Sequence, residues 1–213
     1  MMRFILCAFV LLLFSSDIFS QADNTLWASV RIRILPDDKS KIDISPISRF
    51  HENYSDYRNS SIDYTYSRKI SSLVTLGLTG RTWFLKEGEN GAFGKNRQFV
   101  WPFVSLGLKS GKTSFNTRFM AHWALDLDGV QDRDFFRVKP SLGYPLSSKL
   151  SSSIAVEPWY QFDDENRFAR IRYELGLAYK ITAHLSFSAT YRREEDKISP
   201  DFDMMVVTLT YLL

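Results

Sequence analysis

The final stretch, F-D-M-M-V-V-T-L-T-Y-L-L over residues 202–213, alternates between two faces with the period of a β-strand. One face carries Met205, Val207, Leu209, Tyr211 and Leu213, and the other carries Met204, Val206, Thr208, Thr210 and Leu212. The end of a soluble domain is usually polar and frayed, so an apolar strand at this place is expected to be covered. The stretch therefore predicts a strand that closes a β-barrel in a membrane, where strand edges do not stay unpaired.

The first twenty residues have the pattern of a secretory signal peptide. Positive charge at Arg3 precedes an apolar run over residues 4–14, and small polar residues follow up to Ser20. The run is too short to anchor the chain as a transmembrane helix. We expect residues 1–20 to be a signal peptide and residues 21–213 to form one barrel domain. The only cysteine, Cys7, lies inside the signal, so the exported chain has no thiol chemistry.

Composition narrows the class of protein further. The formal net charge is only +3, and basic residues alternate with acidic ones along the chain, so we expect no nucleic-acid partner. No later apolar run approaches the roughly 18 residues of a membrane helix. An exported chain with 15% aromatic residues is therefore expected to be an outer-membrane barrel or a soluble periplasmic β-domain.

The sequence contains eleven strand-like segments and no amphipathic helix. The segments lie roughly at residues 26–35, 40–50, 58–69, 73–86, 96–109, 112–126, 134–146, 149–162, 167–181, 184–194 and 202–213. Segments of about ten residues exceed the usual strand of a soluble sandwich and match a tilted membrane strand. The pattern predicts an all-β fold, a single antiparallel transmembrane barrel of about 10–12 strands.

Short and long connections are predicted to alternate along the chain. Short turns are expected at residues 70–72, 110–111, 147–148 and 182–183, and longer polar loops at residues 51–57, 87–95, 127–133, 163–166 and 195–201. Outer-membrane barrels have this organisation, with the short turns in the periplasm and the longer loops outside.

Charged residues fall within the strand segments, mostly on the polar face. In a barrel that face lines the lumen, where Asp43 and Asp63 would provide further acids. Arginine outnumbers acid on this face, so two interpretations stay open: a paired network that plugs the lumen, or a narrow pore that tolerates anions. The predicted lumen charge network comprises Arg31, Arg33, Arg81, Arg118, Arg137, Glu157, Arg170, Arg172, Glu174 and Arg192.

Aromatic residues collect toward the predicted strand ends, as they do in the aromatic girdles of membrane barrels. This distribution favours a membrane barrel over a soluble sandwich. The predicted girdle residues are Tyr64, Tyr66, Trp83, Trp101, Trp123, Tyr144, Trp159, Tyr160, Tyr179, Tyr191 and Tyr211.

The count of eleven conflicts with the even number of strands expected when both ends of a barrel lie in the periplasm. Either the first segment lies outside the wall, which leaves ten strands, or one segment is split, which makes twelve. Pro46 and Pro102 are candidate breaks because proline donates no hydrogen bond to a ladder.

Several short motifs along the chain resemble those of one protein family. They are Trp27 in L-W-A-S-V-R, Ile47-Ser48-Arg49-Phe50, Gly143-Tyr144-Pro145-Leu146, and Arg170-Ile171-Arg172-Tyr173 followed by Leu175-Gly176-Leu177-Ala178-Tyr179. The chain resembles the outer-membrane barrels grouped as domain of unknown function 2490, typical of Bacteroidota. The resemblance covers almost all of the exported chain and implies a fold and a location but no catalytic residue. The last strand ends on Leu213 rather than on the phenylalanine common in barrels.

The three histidines provide little evidence for an enzyme. His51 and His184 fall near opposite ends of strands, and no two histidines have the spacing of metal ligands, so no metal or other cofactor is expected. The alternative of a lipid-modifying hydrolase would use His122 with Ser105 on the neighbouring strand. No nucleophile motif surrounds Ser105, and a lumen histidine in a hydrogen-bond network is the simpler interpretation.

Acidic loop residues raise a second question of metal binding. Asp126-Leu127-Asp128-Gly129, with Asp132 and Asp134, resembles part of a calcium loop but lacks its terminal glutamate. Turn chemistry explains these residues equally well. The same holds for the acidic runs at residues 163–165 and 194–196.

The sequence thus predicts a bacterial outer-membrane barrel of structural role or a narrow small-solute channel with an arginine-rich lumen, porin-like in location. The alternatives are an outer-membrane lipid hydrolase and a soluble periplasmic β-domain. The expected partners are outer-membrane lipids and the barrel assembly machinery.

Overall fold

The computed structural model describes residues 23–51, 56–87, 92–125, 134–162, 167–197 and 201–213. The predicted signal peptide, residues 1–20, lies outside the described residues. The described chain is all-β and forms a closed barrel of eleven strands, which confirms the predicted fold class. The strands are β1 Asp23–Ile34, β2 Ser40–His51, β3 Asp56–Lys69, β4 Val74–Glu87, β5 Ala92–Ser110, β6 Thr113–Leu125, β7 Phe135–Pro145, β8 Leu150–Gln161, β9 Phe168–Lys180, β10 Leu185–Asp196 and β11 Phe202–Leu212.

The barrel closes through a parallel pair between its first and last strands. Each strand pairs antiparallel with the next, but β1 and β11 run in the same direction, with Trp27 opposite Val206 and Arg31 opposite Thr210. The expectation of an even count is wrong, because a parallel pair allows an odd number of strands to close. The Trp27 segment is therefore part of the wall, and it is the partner of the last strand.

Proline does not divide any strand. Pro46 and Pro102 lie within the continuous strands β2 and β5, opposite Ile62 and Leu78. Each of the two is accommodated by an interruption of the ladder on its other side, toward β1 and toward β6 respectively. The missing N–H group thus removes ladder bonds on one side only, and the strand continues.

We call the two ends of the barrel the turn end and the loop end. The connections at residues 35–39, 70–73, 111–112, 146–149 and 181–184 form the turn end. The connections at residues 52–55, 88–91, 126–134, 162–167 and 197–201 lie at the loop end. Those at residues 52–55, 88–91 and 197–201 are shorter than the sequence predicted, because β3 begins at Asp56, β5 at Ala92 and β10 ends only at Asp196, whereas those at residues 126–134 and 162–167 are longer. In this topology β1 begins at the loop end and β11 ends at the turn end.

The wall has opposite polarity on its two faces. Outward side chains are large and apolar, and those more than a third exposed come from ten of the eleven strands. Inward side chains include buried Asp43, Arg49, Glu157, Arg172 and Glu194. This is the reverse of a soluble protein, which covers apolar residues and exposes charged ones.

Three of the predicted girdle residues are in the lumen instead. Trp83, Trp101 and Trp159 have inward positions on β4, β5 and β8, where each lies against an arginine. They follow the strand parity of the charged residues, because Trp83 lies two positions after Arg81 and Trp159 two positions after Glu157. The outward tyrosines near the turn end fit the girdle better, namely Tyr66, Tyr144, Tyr179 and Tyr211.

Candidate functional site

The lumen is the candidate site, and the ten residues of the predicted charge network all have inward positions. The clearest feature is a chain of ion pairs across β7, β8, β9 and β10. Glu157 receives hydrogen bonds from Arg137 Nη2 at 2.6 Å and Arg172 Nη1 at 3.1 Å. Arg172 Nη2 also donates to Glu194 at 2.5 Å, and Arg170 Nη1 donates to the same carboxylate at 2.7 Å. Both glutamates are fully buried, so this chain is a rigid element of the lumen.

Three further ion pairs lie in the middle of the lumen. Lys139 Nζ lies 2.6 Å from one oxygen of Glu174, and Arg192 Nε lies 2.9 Å from the other. Arg81 holds Asp63 with two bonds of 2.6 and 2.7 Å. Bidentate arginine–carboxylate pairs combine strength with a defined geometry.

Glu194 was missed by sequence reasoning. The run at residues 194–196 was interpreted as a solvated loop, but Glu194 and Asp196 belong to β10, and both bind Arg170. The signal was present, because Glu194 has the same strand parity as Arg192. Lys139 and Arg49 are also inward and were not among the predicted network residues.

Aromatic rings close the loop-end half of the lumen. The ring centroid of His122 lies 5.1 Å from that of Phe99, 5.0 Å from Trp101 and 5.8 Å from Phe135. The guanidinium of Arg137 lies 3.8 Å from the ring centroid of Trp159, within cation–π distance. These rings, together with the buried Glu157–Arg172–Glu194 chain, are called the loop-end plug.

Arg49 extends the loop-end plug on the opposite wall. Its guanidinium lies between two indole rings, 4.3 Å from Trp27 and 4.7 Å from Trp83. Its two terminal nitrogens donate to Asn59 and Ser61 at 2.8 and 3.0 Å. The side chain is 1% exposed, so its stabilisation comes from amide, hydroxyl and ring contacts.

The turn-end half of the lumen is more accessible. Along β8, the inward residues change from exposed Ser151 and Ser153, through half-buried Ala155, to buried Glu157 and Trp159. Small residues replace the rings here. We call this half the turn-end vestibule; its inward residues include Ser45, Ser105, Ser141, Ser153, Thr190 and Thr208.

Four cations and the Asp43 carboxylate are among the residues of the turn-end vestibule. Arg33 holds Asp43 with bonds of 2.7 and 3.1 Å, and Lys41 lies 3.5 Å from the same carboxylate. Arg31 donates only to the hydroxyl of Ser45 at 3.2 Å, and Arg118 only to that of Ser105 at 3.1 Å. Within the described ranges, neither of these two arginines has a carboxylate partner.

A glycine determines the position of Arg118. A Cβ atom at Gly77 would collide with the ring of Phe103, so only glycine leaves room for this ring against β4. The guanidinium of Arg118 lies 4.5 Å from the same ring. The packing of the Phe103 ring against Gly77 therefore fixes the ring that the Arg118 guanidinium contacts.

The structure does not form the His122–Ser105 pair of the hydrolase alternative. Ser105 lies opposite Arg118 on β6, four residues from His122, which corresponds to about 13 Å along a strand. His122 lies in the lumen, as the simpler interpretation predicted, but in the described part of the chain its neighbours are aromatic rings and neither ring nitrogen bonds a protein group. His51 lies near Thr25 at the loop end, and His184 contacts the Leu212 carbonyl at the turn end.

The described residues contain no cluster of three or more histidine, cysteine or acidic side chains that could hold a metal ion. The calcium-like motif lies mostly outside the described residues, since residues 126–133 are not among them. Residues 163–166 are likewise outside them.

None of the described segments is a helix long and apolar enough to span a membrane.

An apolar outer wall around a charged, ring-filled lumen defines the class: a closed β-barrel whose polarity is the reverse of a soluble one. The chain belongs to the family described as protein of unknown function DUF2490, whose model matches residues 24–202. This confirms the resemblance inferred from the sequence motifs. The match covers β1 to the start of β11. A comparison with curated proteins found no match.

Proposed function

We propose that this protein is a barrel of the bacterial outer membrane, exported by residues 1–20 and assembled there by the barrel assembly machinery. The observation that carries the proposal is the apolar outer surface contributed by ten strands. An exposed apolar surface of that extent requires a partner, and lipid can cover all sides of a barrel at once.

We propose further that the turn end faces the periplasm. The tyrosines near this end would lie at the membrane interface, and short connections are typical of the periplasmic side. In this orientation β1 begins at the outer surface, while β11 ends in the periplasm.

The membrane location is tested by gel migration of the exported chain without boiling. A membrane barrel stays folded in detergent and migrates faster than the boiled sample. We expect a shift between the two and recovery of the protein in the membrane fraction. An aqueous protein with one migration would support the soluble β-domain instead.

The orientation is tested with an epitope tag placed directly before Asp23. We expect antibody binding on intact cells, and a second tag after Leu213 should be reached only after permeabilisation. The opposite result would reverse the orientation while leaving the membrane location intact.

The role that the lumen supports best is structural, with a barrel closed at the loop-end plug. The fully buried Glu157 and Glu194 are the supporting observation, because solvent reaches neither carboxylate and both are bound by arginines. A narrow anion channel is the second candidate, and it is favoured by the excess of inward cations over carboxylates.

Conductance in planar bilayers separates these two roles. A structural barrel should conduct no ions, whereas Trp159→Ala, which removes the central ring of the plug, should produce measurable conductance. If the protein is a channel, the wild-type chain itself would conduct ions. Replacement of Arg170 and Arg172 by glutamine would then reduce its preference for anions. Wild-type conductance would therefore overturn the structural role.

A further inference from the structure

We infer that the turn-end vestibule binds a small oxyanion, of the chemical class of inorganic phosphate, between Arg31 and Arg118. The inference stands on the contacts of these two arginines. It holds whether or not the barrel conducts ions.

The first argument is the local charge. The nearby carboxylates are already engaged: Asp43 is shared by Arg33 and Lys41, Asp63 is held by Arg81, and Glu174 is held by Lys139 and Arg192. Arg31 and Arg118 are left with neutral serine hydroxyls. A partly buried cation without a counter-charge is unfavourable, so an anion bound here would be stabilised.

The second argument is the geometry of the two guanidinium groups. Arg31 belongs to β1 and Arg118 to β6, which face each other across a barrel of eleven strands. Both side chains extend from these walls into the lumen, where their Nε groups donate to Ser45 and Ser105. An anion bound between the two walls would give each guanidinium a charged partner.

The third argument is the set of hydrogen-bond donors still available. Each arginine uses its Nε to bind a serine, so in the described structure the terminal Nη groups have no hydrogen-bonded partner. A guanidinium offers these donors in a planar arrangement that matches the oxygens of phosphate or carboxylate. The serine bonds and the Phe103 ring hold the two groups in place before any anion arrives.

The fourth argument is access. The vestibule opens at the turn end, where inward Ser151 and Ser153 are exposed, and it ends at the loop-end plug. An anion can therefore enter from the turn end.

Titration calorimetry with inorganic phosphate tests the inference on the folded, exported chain in zwitterionic detergent. Sodium chloride of equal ionic strength is the reference. We expect saturable phosphate binding that chloride does not reproduce. Binding that is absent, or equal with chloride, would overturn the inference.

Four variants locate the site. Arg31→Gln and Arg118→Gln should each weaken phosphate binding about tenfold or more, because each removes a charged hydrogen-bonding group. Arg31→Lys and Arg118→Lys keep the charge but lose the planar donors, and should weaken binding less. If a glutamine variant does not fold, as judged by unboiled gel migration, the lysine variants decide the outcome. Unchanged affinity in the lysine variants would then overturn the inference.

Arg68→Gln is the matched control. Arg68 lies at the same end of the barrel but on the outer face, where its side chain is half exposed. Phosphate affinity should equal that of wild type. An equal loss in this control would mean general charge attraction, which would also overturn the inference.

Discussion

The two halves of the lumen use the same residue type in opposite ways. In the loop-end plug, Arg137 and Arg172 each contact the buried carboxylate of Glu157, and aromatic rings fill the remaining space. In the turn-end vestibule, Arg31 and Arg118 donate hydrogen bonds only to serine hydroxyls, and Arg118 also lies against the Phe103 ring.

This difference teaches that an arginine-rich lumen is not by itself evidence for a pore. An arginine with a carboxylate partner contributes to a rigid interior, because two buried opposite charges hold each other in one arrangement. An arginine that has only neutral partners and stays accessible keeps affinity for an anion, whereas Arg49, with neutral partners but 1% exposed, is structural. Partner chemistry, rather than the number of arginines, separates a structural half from a binding half.

The largest expected effect is on the loop-end plug. Glu157→Gln leaves Arg137 and Arg172 without their shared counter-charge, and removal of one partner of a buried pair costs about 3–5 kcal/mol. The urea concentration at which the barrel loses its fast gel migration should fall accordingly.

The matched control is Glu195→Gln. Glu195 belongs to the same class of residue but is about half exposed, and it lies 3.8 Å from Arg193. Exposed pairs of this kind contribute about 0–1 kcal/mol, so its urea midpoint should stay close to wild type. Equal midpoints for the two variants would show that the plug does not depend on the Glu157 pair.

A second effect should follow from Arg49→Lys. Lysine keeps the charge but cannot fill the space between Trp27 and Trp83 while donating to both Asn59 and Ser61. We expect a loss of about 2 kcal/mol from the cation–π contacts and hydrogen bonds. Unfolding followed by tryptophan fluorescence measures it, with Arg68→Lys on the outer face as the reference. An unfolding midpoint for Arg49→Lys equal to that of Arg68→Lys would show that the planar guanidinium of Arg49 does not stabilise the barrel.

A third and smaller effect is expected at the turn end. Gly77→Ala forces the Phe103 ring to move, and such overpacking costs about 1–3 kcal/mol. Because Arg118 rests on that ring, phosphate affinity should fall as well. Gly80→Ala is the control, since a Cβ there meets no atom within 4 Å. Equal phosphate affinity in the two variants would show that the Phe103 ring does not position Arg118.

The smallest effect concerns the turn between β1 and β2, which borders the vestibule. The backbone N–H groups of Lys39 and Ser40 donate to Asp37 at 2.7 and 2.5 Å and hold the pKa of its carboxyl below the usual value. Ionised Asp37 therefore contributes to the free energy of unfolding. This contribution is complete above about pH 3.9, the pKa of aspartate in the unfolded chain, and disappears as the pH falls through the lower pKa of the folded chain.

Carboxyl NMR titration measures this pKa directly. Ser40→Ala removes the hydroxyl bond at 3.0 Å and should raise the pKa of Asp37 toward the ordinary value. An Asp37 that titrates at the ordinary value in the wild-type chain would contradict the hydrogen bonds of the turn.

Much of the fold was predictable because alternation of residue type is a local property. On β6 and β9 the period of two separates exposed Phe115 and Trp123 from inward Arg118, and exposed Leu175 from buried Arg172. The same parity assigns Trp83 and Trp159 to the lumen, whereas their proximity to strand ends wrongly suggests a girdle. Which cation meets which carboxylate was not predictable, since the pairing of Arg172 with Glu194 depends on the register of β9 against β10.

The sequence alone determined the positions of eleven strand segments, the apolar face and the charged face, because each depends on neighbours along the chain, but the even-count rule wrongly favoured ten or twelve strands in the wall. Only the tertiary structure decided the parallel closure of β1 on β11 and the division of the lumen into two halves. Both depend on how far each strand is displaced against the next around the ring. That displacement brings Glu157 to Arg137 and Arg172, and leaves Arg31 and Arg118 facing each other without a carboxylate.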